Sequence, residues 1–224
     1  MFRGRRRRRE DELAQQDSFR TARRFMRDDV TALGEQLAEL HVGTAEADLG
    51  HEGRTHCQQA IEHYDRAKHL LSISTTAEEV VGVEQVVADA HWHRAAVLAL
   101  RAGEPATQRR TPCFFDAHHG PSMTDASWTP PAGLTLTVAV CAADARRLAD
   151  GEAPATRLVR VADRYVLWHE VGGLAGILRH AQELRKAASP NTGRHSDLTR
   201  HPSFNGAEGL RCGDNDSVRR SWGP

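Results

Sequence analysis

The sequence has little cysteine and no long apolar run, and each of these features excludes a class of protein. Its four cysteines are scattered over 224 residues and never form a Cys-x-x-Cys pair. That pattern is too sparse for a disulfide-stapled secreted domain. No apolar segment approaches the roughly 20 residues that a membrane-spanning helix needs. Nothing at the start resembles a signal peptide, so we expect a chain that folds in the reducing cytoplasm.

Net charge is also lacking, because 30 basic residues are balanced by 30 acidic ones. This balance argues against a protein that coats nucleic acid over its whole surface. The basic character is local and is concentrated at the start of the chain, in MFRGRRRRRE. Such a run is typical of a polyanion-binding arm, of the cytoplasmic edge of a membrane segment, or of a solvated flexible end. The run consists of Arg5, Arg6, Arg7, Arg8 and Arg9.

Enzyme signatures are missing or imperfect. No glycine-rich phosphate loop is present, and nothing around Ser122 has the strand-turn-helix context of a serine nucleophile. HEGRTH at residues 51–56 has one residue too many for the metalloprotease motif HExxH, and we expect it to lie in a loop. The acidic pairs Asp28-Asp29 and Glu78-Glu79 are interpreted as ordinary helix-surface charges. We therefore expect a protein that is not an enzyme.

The first half of the chain is predicted to be helical after a basic flank of residues 1–9. Apolar residues recur at threes and fours, the spacing of one helix face, with a coiled-coil-like texture. Thr76 followed by Glu79 has the form of a capping box, which opens the third helix. His91 and His93 would lie about 200° apart around that helix and could not share one ion. Within the helical region, residues 10–104, the helices are expected over about 10–40, 54–71 and 77–103.

The second half, residues 111–171, has the texture of a small β-rich domain. TLTVAVC alternates as a strand with SWT as its hairpin partner, and RLVRV pairs with RYVLW around Ala162-Asp163. AADARRLADG is predicted to be a short helix that ends at Gly151. Residues 172–188 could add a last helix, and residues 189–224 are too polar to form a core and are predicted to be disordered. Phe114, Phe115, Trp128 and Trp168 would form either the core of this domain or an aromatic binding surface.

These elements predict an α+β fold. An antiparallel helical bundle or a long helical hairpin comes first, followed by a small β-hairpin-rich, treble-clef-like domain and a disordered tail. The order of a knuckle, a hairpin and a helix start is the layout in which a treble-clef module places two pairs of zinc ligands. Here each half reads Cys-x-x-Asp, and it supplies Cys113 from the knuckle and Cys141 and Asp144 from the helix start.

His118 and His119 lie beside the first half and could complete the set. Two thiolates would neutralise a zinc dication, and an imidazole and a carboxylate would complete a tetrahedron. The alternative is that no metal binds: both cysteines would be small buried hydrophobes, Asp116 would close a turn and Asp144 would interact with the helix N-terminus. If a metal is bound, four filled positions imply a structural role.

The motifs PCFFDxxHGPS, WTPPxG, VCAADARRL and VLWHEVGG resemble the cytoplasmic part of a group of uncharacterised actinobacterial membrane-associated proteins. The resemblance covers roughly residues 5–173. In that group a transmembrane segment precedes an arginine-rich run, a helical region and this cysteine-containing segment, and some members carry a TPM-type domain. The resemblance implies His119, the histidine of HGP, as the histidine ligand. It also implies that the arginine run flanks a membrane segment that this chain lacks.

The expected function is that of a non-enzymatic, zinc-stabilised interaction module in the cytoplasm, peripheral to the inner face of the plasma membrane. Its expected partner is an anionic membrane surface or an integral membrane segment, contacted by Arg5–Arg9. Nucleic-acid binding through the arginine arm and the zinc module is a weaker alternative, because no basic stripe interleaves aromatic residues. An enzyme with a site around the Cys/His/Asp cluster is the third hypothesis.

Overall fold

Three long helices form the first half of the chain in the computed structural model, which describes residues 2–44, 49–161 and 163–188. Both α2 and α1 pack along α3, and α1 also contacts α2. The three helices are α1 (Phe2–Thr44), α2 (Gly50–Ile73) and α3 (Ala77–Arg101). The predicted bundle of amphipathic helices is therefore confirmed.

The predicted start of α1 was wrong, because the helix begins at Phe2 and includes the arginine run. Arginine is a good helix former, and no proline interrupts the run. Arg6 also forms an i,i+4 ion pair of 2.9 Å with Glu10. The basic flank is consequently the first part of a continuous 43-residue helix.

The placement of HEGRTH in a loop was also wrong, because α2 begins at Gly50. Gly50 adopts a positive φ of 60° at the helix start, as a glycine can without strain. Gly53 then lies so close to Leu49 that an added Cβ would be 2.9 Å from the leucine Cβ. Both glycines are therefore compatible with a helix start: Gly50 supplies the positive φ, and Gly53 allows the close approach of Leu49.

The capping box that opens α3 is present as predicted. The Thr76 hydroxyl accepts a hydrogen bond from the Glu79 backbone N–H at 3.2 Å, and the Glu79 carboxylate accepts one from the Thr76 N–H at 3.2 Å. These two bonds satisfy donors that a helix start would otherwise leave unpaired. They fix the turn between α2 and α3 within the bundle.

Two antiparallel hairpins follow the helices, which confirms the α+β class and both predicted strand pairs. The first hairpin joins β1 (Thr124–Trp128) to β2 (Leu136–Val140), and the second joins β3 (Leu158–Val161) to β4 (Arg164–Leu167). The predicted short helix between them is α4 (Ala142–Ala149). The chain then continues into α5 (Trp168–Val171) and α6 (Gly173–Ala188).

The hydrophobic core has two parts of unequal size. The larger part lies between the helices and includes α6 and the inner side of the second hairpin, with Val159, Val161 and Trp168. Trp168 was expected at the end of a strand, but it begins α5 and packs into this core. The smaller part consists of five buried residues, Cys113, Phe115, Val138, Val140 and Cys141, packed with Phe114 and Trp128. The aromatic residues therefore belong to the cores.

Residues up to 188 belong to one compact unit, so the helical and β-rich regions share a single body. The predicted disorder of residues 189–224 lies outside the described residues. Within the described ranges, no helix combines the length and the hydropathy that crossing a bilayer requires.

Candidate metal centre

The first pair of candidate ligands lies on a tight knuckle between α3 and β1. The Cys113 N–H donates to the Gly120 carbonyl at 2.9 Å, and Pro112 bridges Pro121 across the turn. Inside it, the Asp116 carboxylate accepts a hydrogen bond of 2.9 Å from the His118 N–H and so caps a single 3-10 turn, Ala117–His119. This reversal of the chain brings Cys113 and His119 together.

The second pair lies where β2 runs into α4. Cys141 is the N-cap of α4, and its Sγ accepts a hydrogen bond of 3.4 Å from the Asp144 N–H. The Phe114 N–H donates to the Ala139 carbonyl at 2.9 Å, which ties the knuckle to β2. The helix start and the knuckle are therefore held face to face, in the order expected of a treble-clef module.

The four predicted ligands converge on a single point. Donor atoms from Cys113, His119, Cys141 and Asp144 all lie within 4.8 Å of one another. Asp144 Oδ2 is 3.4 Å from each cysteine Sγ and 3.0 Å from His119 Nδ1. His119 Nδ1 is 3.7 Å from Cys141 Sγ. Zinc bonds of about 2.0–2.3 Å place tetrahedral donor atoms roughly 3.3–3.8 Å apart, so this group could hold a metal ion with small adjustments.

The candidate ligands are mostly buried, so a charge on any of them needs a compensating charge or hydrogen bonds nearby. Asp144 is fully buried and Cys113 is 2% exposed, whereas the His119 side chain remains 27% exposed. Burial raises the pKa of the Cys113 thiol to about 12. Burial also acts to raise the pKa of Asp144, but hydrogen bonds from the Ala155 N–H and the Cys113 thiol outweigh it and lower that pKa. Without a cation, the Asp144 carboxylate is therefore charged while the Cys113 thiol keeps its proton.

The same distances fit two chemical states. Without metal, Asp144 Oδ2 is the acceptor for two thiols and the His119 ring. With metal, the thiols lose their protons and all four groups become ligands, since a coordinating thiol is deprotonated by the ion. The alternative in which the cysteines are inert core residues and Asp144 interacts with the helix start describes the metal-free state.

Groups around the ligands hold them in orientation. Asp144 Oδ1 accepts from the Ala155 N–H at 2.9 Å and from Arg147 at 3.2 Å, which leaves Oδ2 directed at the other ligands. The second ring nitrogen of His119, Nε2, lies 3.9 Å from the Asp116 carboxylate. Supporting carboxylates and backbone groups of this kind position the ligands of protein metal sites. Sequence reasoning did not identify Ala155, because a backbone donor in a loop leaves no pattern. It missed Arg147 as well, although the i,i+3 spacing from Asp144 on a predicted helix was a usable signal.

His118, the alternative histidine, is directed away from the centre. Its Nε2 lies 2.9 Å from the Asp29 carboxylate on α1, which Arg157 also contacts at 2.6 Å. The prediction of Asp29 as a surface charge was therefore wrong, since only 5% of it is exposed. Burial acts to raise the pKa of Asp29, but the hydrogen bond to His118 and the charge of Arg157 lower it overall. The contact between His118 and Asp29 links the knuckle to the helical bundle.

His91 and His93, the pair on α3 considered from the sequence, do not join the centre. His91 faces His118, with ring centroids 6.4 Å apart, whereas His93 contacts His56 and His63 on α2. The two rings therefore contact different parts of the molecule, as the 200° separation predicts.

The arginine run forms a surface of its own. Arg5–Arg9 are all exposed, and so are the following residues up to Asp17. The first buried residue of α1 is Ser18. The arginines therefore lie on an exposed extension of the helix.

Comparison with protein-family models, with curated proteins and with solved structures gives no match. What the chain can do is therefore argued from the geometry of its own residues.

Proposed function

We propose that the protein is a non-enzymatic interaction module that a structural zinc ion stabilises and that its arginine run holds at the anionic inner face of the plasma membrane. The exposed basic extension of α1 is the observation that carries the membrane part of this proposal. The four-ligand cluster supports the zinc part. The resemblance of the CFFDxxHGPS segment to membrane-associated proteins favours the same location.

Zinc suits the donor set better than the other common divalent cations. Two cysteine thiolates exclude the hard cations magnesium and calcium, which prefer oxygen ligands. Zinc accepts sulfur, nitrogen and oxygen together in a tetrahedron, and thiolates from Cys113 and Cys141 balance its charge. Because His119 and Asp144 fill the other two positions, no ligand place is left for a substrate. The ion would therefore stabilise the small core, and an enzyme built on this cluster is disfavoured.

The arginines surround the helix. Successive residues of an α-helix are 100° apart, so five in a row place positive charge on every side. The collar formed by Arg5–Arg9 also lies at the positive end of the helix macrodipole, with no acidic residue in the first turn. The five positive charges repel one another and the positive end of the helix dipole, and an anionic partner would reduce this repulsion. A helix that meets a lipid surface end-on can use all five charges, each worth about 1 kcal/mol near anionic lipid.

Nucleic acid is the less favoured anionic partner. A helix that binds in the major groove of DNA presents its basic side chains on one face, whereas the arginines of this collar point to all sides of the helix. The rest of the chain also contributes no net positive charge. The lipid surface therefore fits the distribution of charge better.

Binding to vesicles tests the membrane proposal. The full chain should sediment with phosphatidylglycerol-containing vesicles in low salt and not with pure phosphatidylcholine vesicles. Changing Arg5–Arg9 to glutamine should weaken binding by tenfold or more, given about 1 kcal/mol per arginine. The matched control changes five other exposed arginines, Arg20, Arg27, Arg66, Arg101 and Arg164, to glutamine.

The control separates a local collar from a general effect of charge. It removes the same net charge and should retain most of the binding. Equal losses in both variants would refute the collar. Tighter binding of duplex DNA than of anionic vesicles at the same salt would favour the nucleic-acid hypothesis.

Elemental analysis tests the zinc proposal. The purified protein should contain close to one equivalent of zinc, and Cys113→Ser and Cys141→Ser should both lose it. Cys57→Ser is the matched control because Cys57 lies on α2, outside the cluster, and this variant should keep its zinc. Less than about 0.2 equivalents in folded wild-type protein would refute zinc binding.

A further inference from the structure

A cavity of about 480 Å³ lies between α3, the knuckle and the α5–α6 junction. This volume lies in the range of small-molecule sites, about 300–1,000 Å³. Its walls combine apolar surface from Val87, Phe114 and Trp168 with polar groups from other elements. Cys113 also lines the cavity, so one wall is shared with the candidate metal centre. The proposed function does not use this space.

The polar groups of the cavity wall come from three elements. Asp29 belongs to α1, Glu84 and His91 to α3, and His118 to the knuckle. No lysine or arginine is among the lining residues of this cavity. Arg157 and His118 already accompany the Asp29 carboxylate, at 2.6 and 2.9 Å. Glu84 forms no such ion pair within the part of the chain that the structure describes. Its negative charge is therefore less compensated than that of Asp29.

Glu84 has a structural task that engages only one of its oxygens. Its Oε1 accepts a hydrogen bond of 3.1 Å from the Leu174 N–H, in the first turn of α6. The chain approaches so closely here because Gly173 has no side chain; an added Cβ would lie 3.0 Å from Oε1. Among the described residues, Oε2 has no hydrogen-bond partner. Burial is the main cause that raises the pKa of this carboxyl, and the charge of Asp29 adds to it, whereas the Leu174 hydrogen bond and the charge of Arg157 oppose the rise.

His91 gives an independent indication that the cavity has an occupant. Its side chain is only 4% exposed, and both ring nitrogens are buried without a hydrogen-bond partner among the described residues. Burial lowers the pKa of His91 to about 4, so the ring is neutral at pH 7. A buried polar group without a partner destabilises the folded state. An occupant with a polar hydrogen beside this ring would pair with its acceptor nitrogen and remove part of that cost.

We propose that this cavity binds a small organic ammonium compound, with the charged nitrogen at Glu84 and the apolar body against Phe114 and Trp168. The carboxylate supplies the counter-charge, and the two aromatic rings accommodate an apolar or aromatic substituent. His91 lies two turns along α3 from Glu84, so it supplies a neutral acceptor for a second polar hydrogen of a larger ligand. An anionic ligand would meet Asp29 and Glu84 without a lining lysine or arginine. A neutral ligand of the same shape would leave the Glu84 charge uncompensated.

Three probes of one shape and different charge test the ligand class. Benzylamine, benzyl alcohol and benzoate are titrated into the full-length, zinc-loaded protein at pH 7, with calorimetry and the histidine ring signals in NMR as readouts. Benzylamine should bind at least tenfold more tightly than benzyl alcohol, and benzoate should not bind. Equal affinity for the amine and the alcohol, tighter binding of benzoate, or no binding of any probe at millimolar concentration would overturn the proposal.

Two substitutions locate the binding event. Glu84→Gln keeps an acceptor for the Leu174 N–H but removes the charge, and it should weaken benzylamine binding about tenfold while leaving benzyl alcohol unchanged. Glu78→Gln, an exposed site on the same helix, is the control and should have no effect. Ala88→Leu places a larger side chain in the cavity wall and should abolish binding of both probes. Unchanged benzylamine binding in both Glu84→Gln and Ala88→Leu would place the site elsewhere.

Discussion

The helical core, which includes the second hairpin, and the smaller core around the β1–β2 hairpin differ in how much apolar surface they bury. The helical core contains many buried apolar residues from several helices, among them Met26, Leu33, Val80, Val83 and Ile177. The core around the β1–β2 hairpin has five buried residues, and two of them are the cysteines of the candidate metal centre. A core that small gains little from apolar burial and usually needs a disulfide or a metal to hold it. The contrast explains why the four donors lie in the smaller region.

The largest expected effect concerns the loss of a metal ligand. With zinc bound as proposed, Cys141→Ser should remove the ion and increase amide hydrogen exchange in β1 and β2 by orders of magnitude, while α2 and α3 keep their protection. Hydrogen exchange followed by mass spectrometry measures both regions at once, and Cys57→Ser provides the control. Equal loss of protection in α2 and α3 would show that the two regions unfold as one cooperative unit.

The converse change weakens only the helical core. Leu33 is fully buried on α1, so Leu33→Ala should lower the free energy of unfolding by about 3 kcal/mol. Denaturant unfolding followed by circular dichroism measures this loss, and the zinc content should stay at the wild-type value. Leu13→Ala is the matched control because Leu13 is 57% exposed, and it should cost less than about 0.5 kcal/mol. A loss of zinc in Leu33→Ala would contradict the separation of the two cores.

Acid should weaken the helical bundle independently of the metal. Burial, with the nearby His56 and His63 rings, lowers the pKa of His93 from 6.5 to about 4. The unfolded chain therefore binds more protons between these pH values, and stability should fall as pH decreases through this window, by about 1–2 kcal/mol. Unfolding in the presence of a chelator excludes effects of metal release.

A substitution identifies the histidine responsible for this acid sensitivity. His93→Gln should reduce the pH dependence between 6.5 and 4 and leave the part due to His91, whose pKa is also lowered to about 4, whereas the exposed His69→Gln should leave it as in the wild type. An unchanged slope in His93→Gln would mean that His93 is not the group that links acid to the helix pair.

The smallest expected effect comes from the cap of α3. Thr76→Ala removes one half of the capping box and should cost about 1 kcal/mol of stability in the helical region. Thr31→Ala is the control, because the Thr31 hydroxyl contacts only a carbonyl four residues earlier in α1. Amide exchange in β1 and β2 should be unchanged in both variants. Faster exchange there in Thr76→Ala would connect the two regions.

The features that could be predicted from sequence are those fixed by neighbours in the chain. The capping box of Thr76 and Glu79 depends on residues three positions apart, and both hairpins depend on alternation within ten to twenty residues. The cluster of candidate ligands was also predictable, since the knuckle places Cys113 near His119 and the helix start places Cys141 three residues before Asp144. Only the choice of His119 over His118 required more than spacing.

The features that could not be predicted depend on distant parts of the chain. Asp29 has the local pattern of a surface residue, and it is buried only because His118 and Arg157 return to it from 89 and 128 residues away. The position of Glu84 beside the start of α6 likewise depends on a contact across 90 residues. Local periodicity carries no information about such pairs. The cavity therefore became visible only once the chain was folded.

The exposed extension of α1 also sets a distance. Between Arg9 and Ser18, the first buried residue, the helix rises about 14 Å at 1.5 Å per residue. At physiological ionic strength the Debye length is about 8 Å, so charges farther away are largely screened. If the arginine collar meets an anionic surface end-on, the extension acts as a spacer between that surface and the rest of the chain, which without Arg5–Arg9 has 25 basic and 30 acidic residues. The folded body lies beside the end of this spacer, where Asp17 pairs with Arg185 on α6. The orientation of the folded body on that surface would then be governed by the direction of α1 and not by the charges of the body.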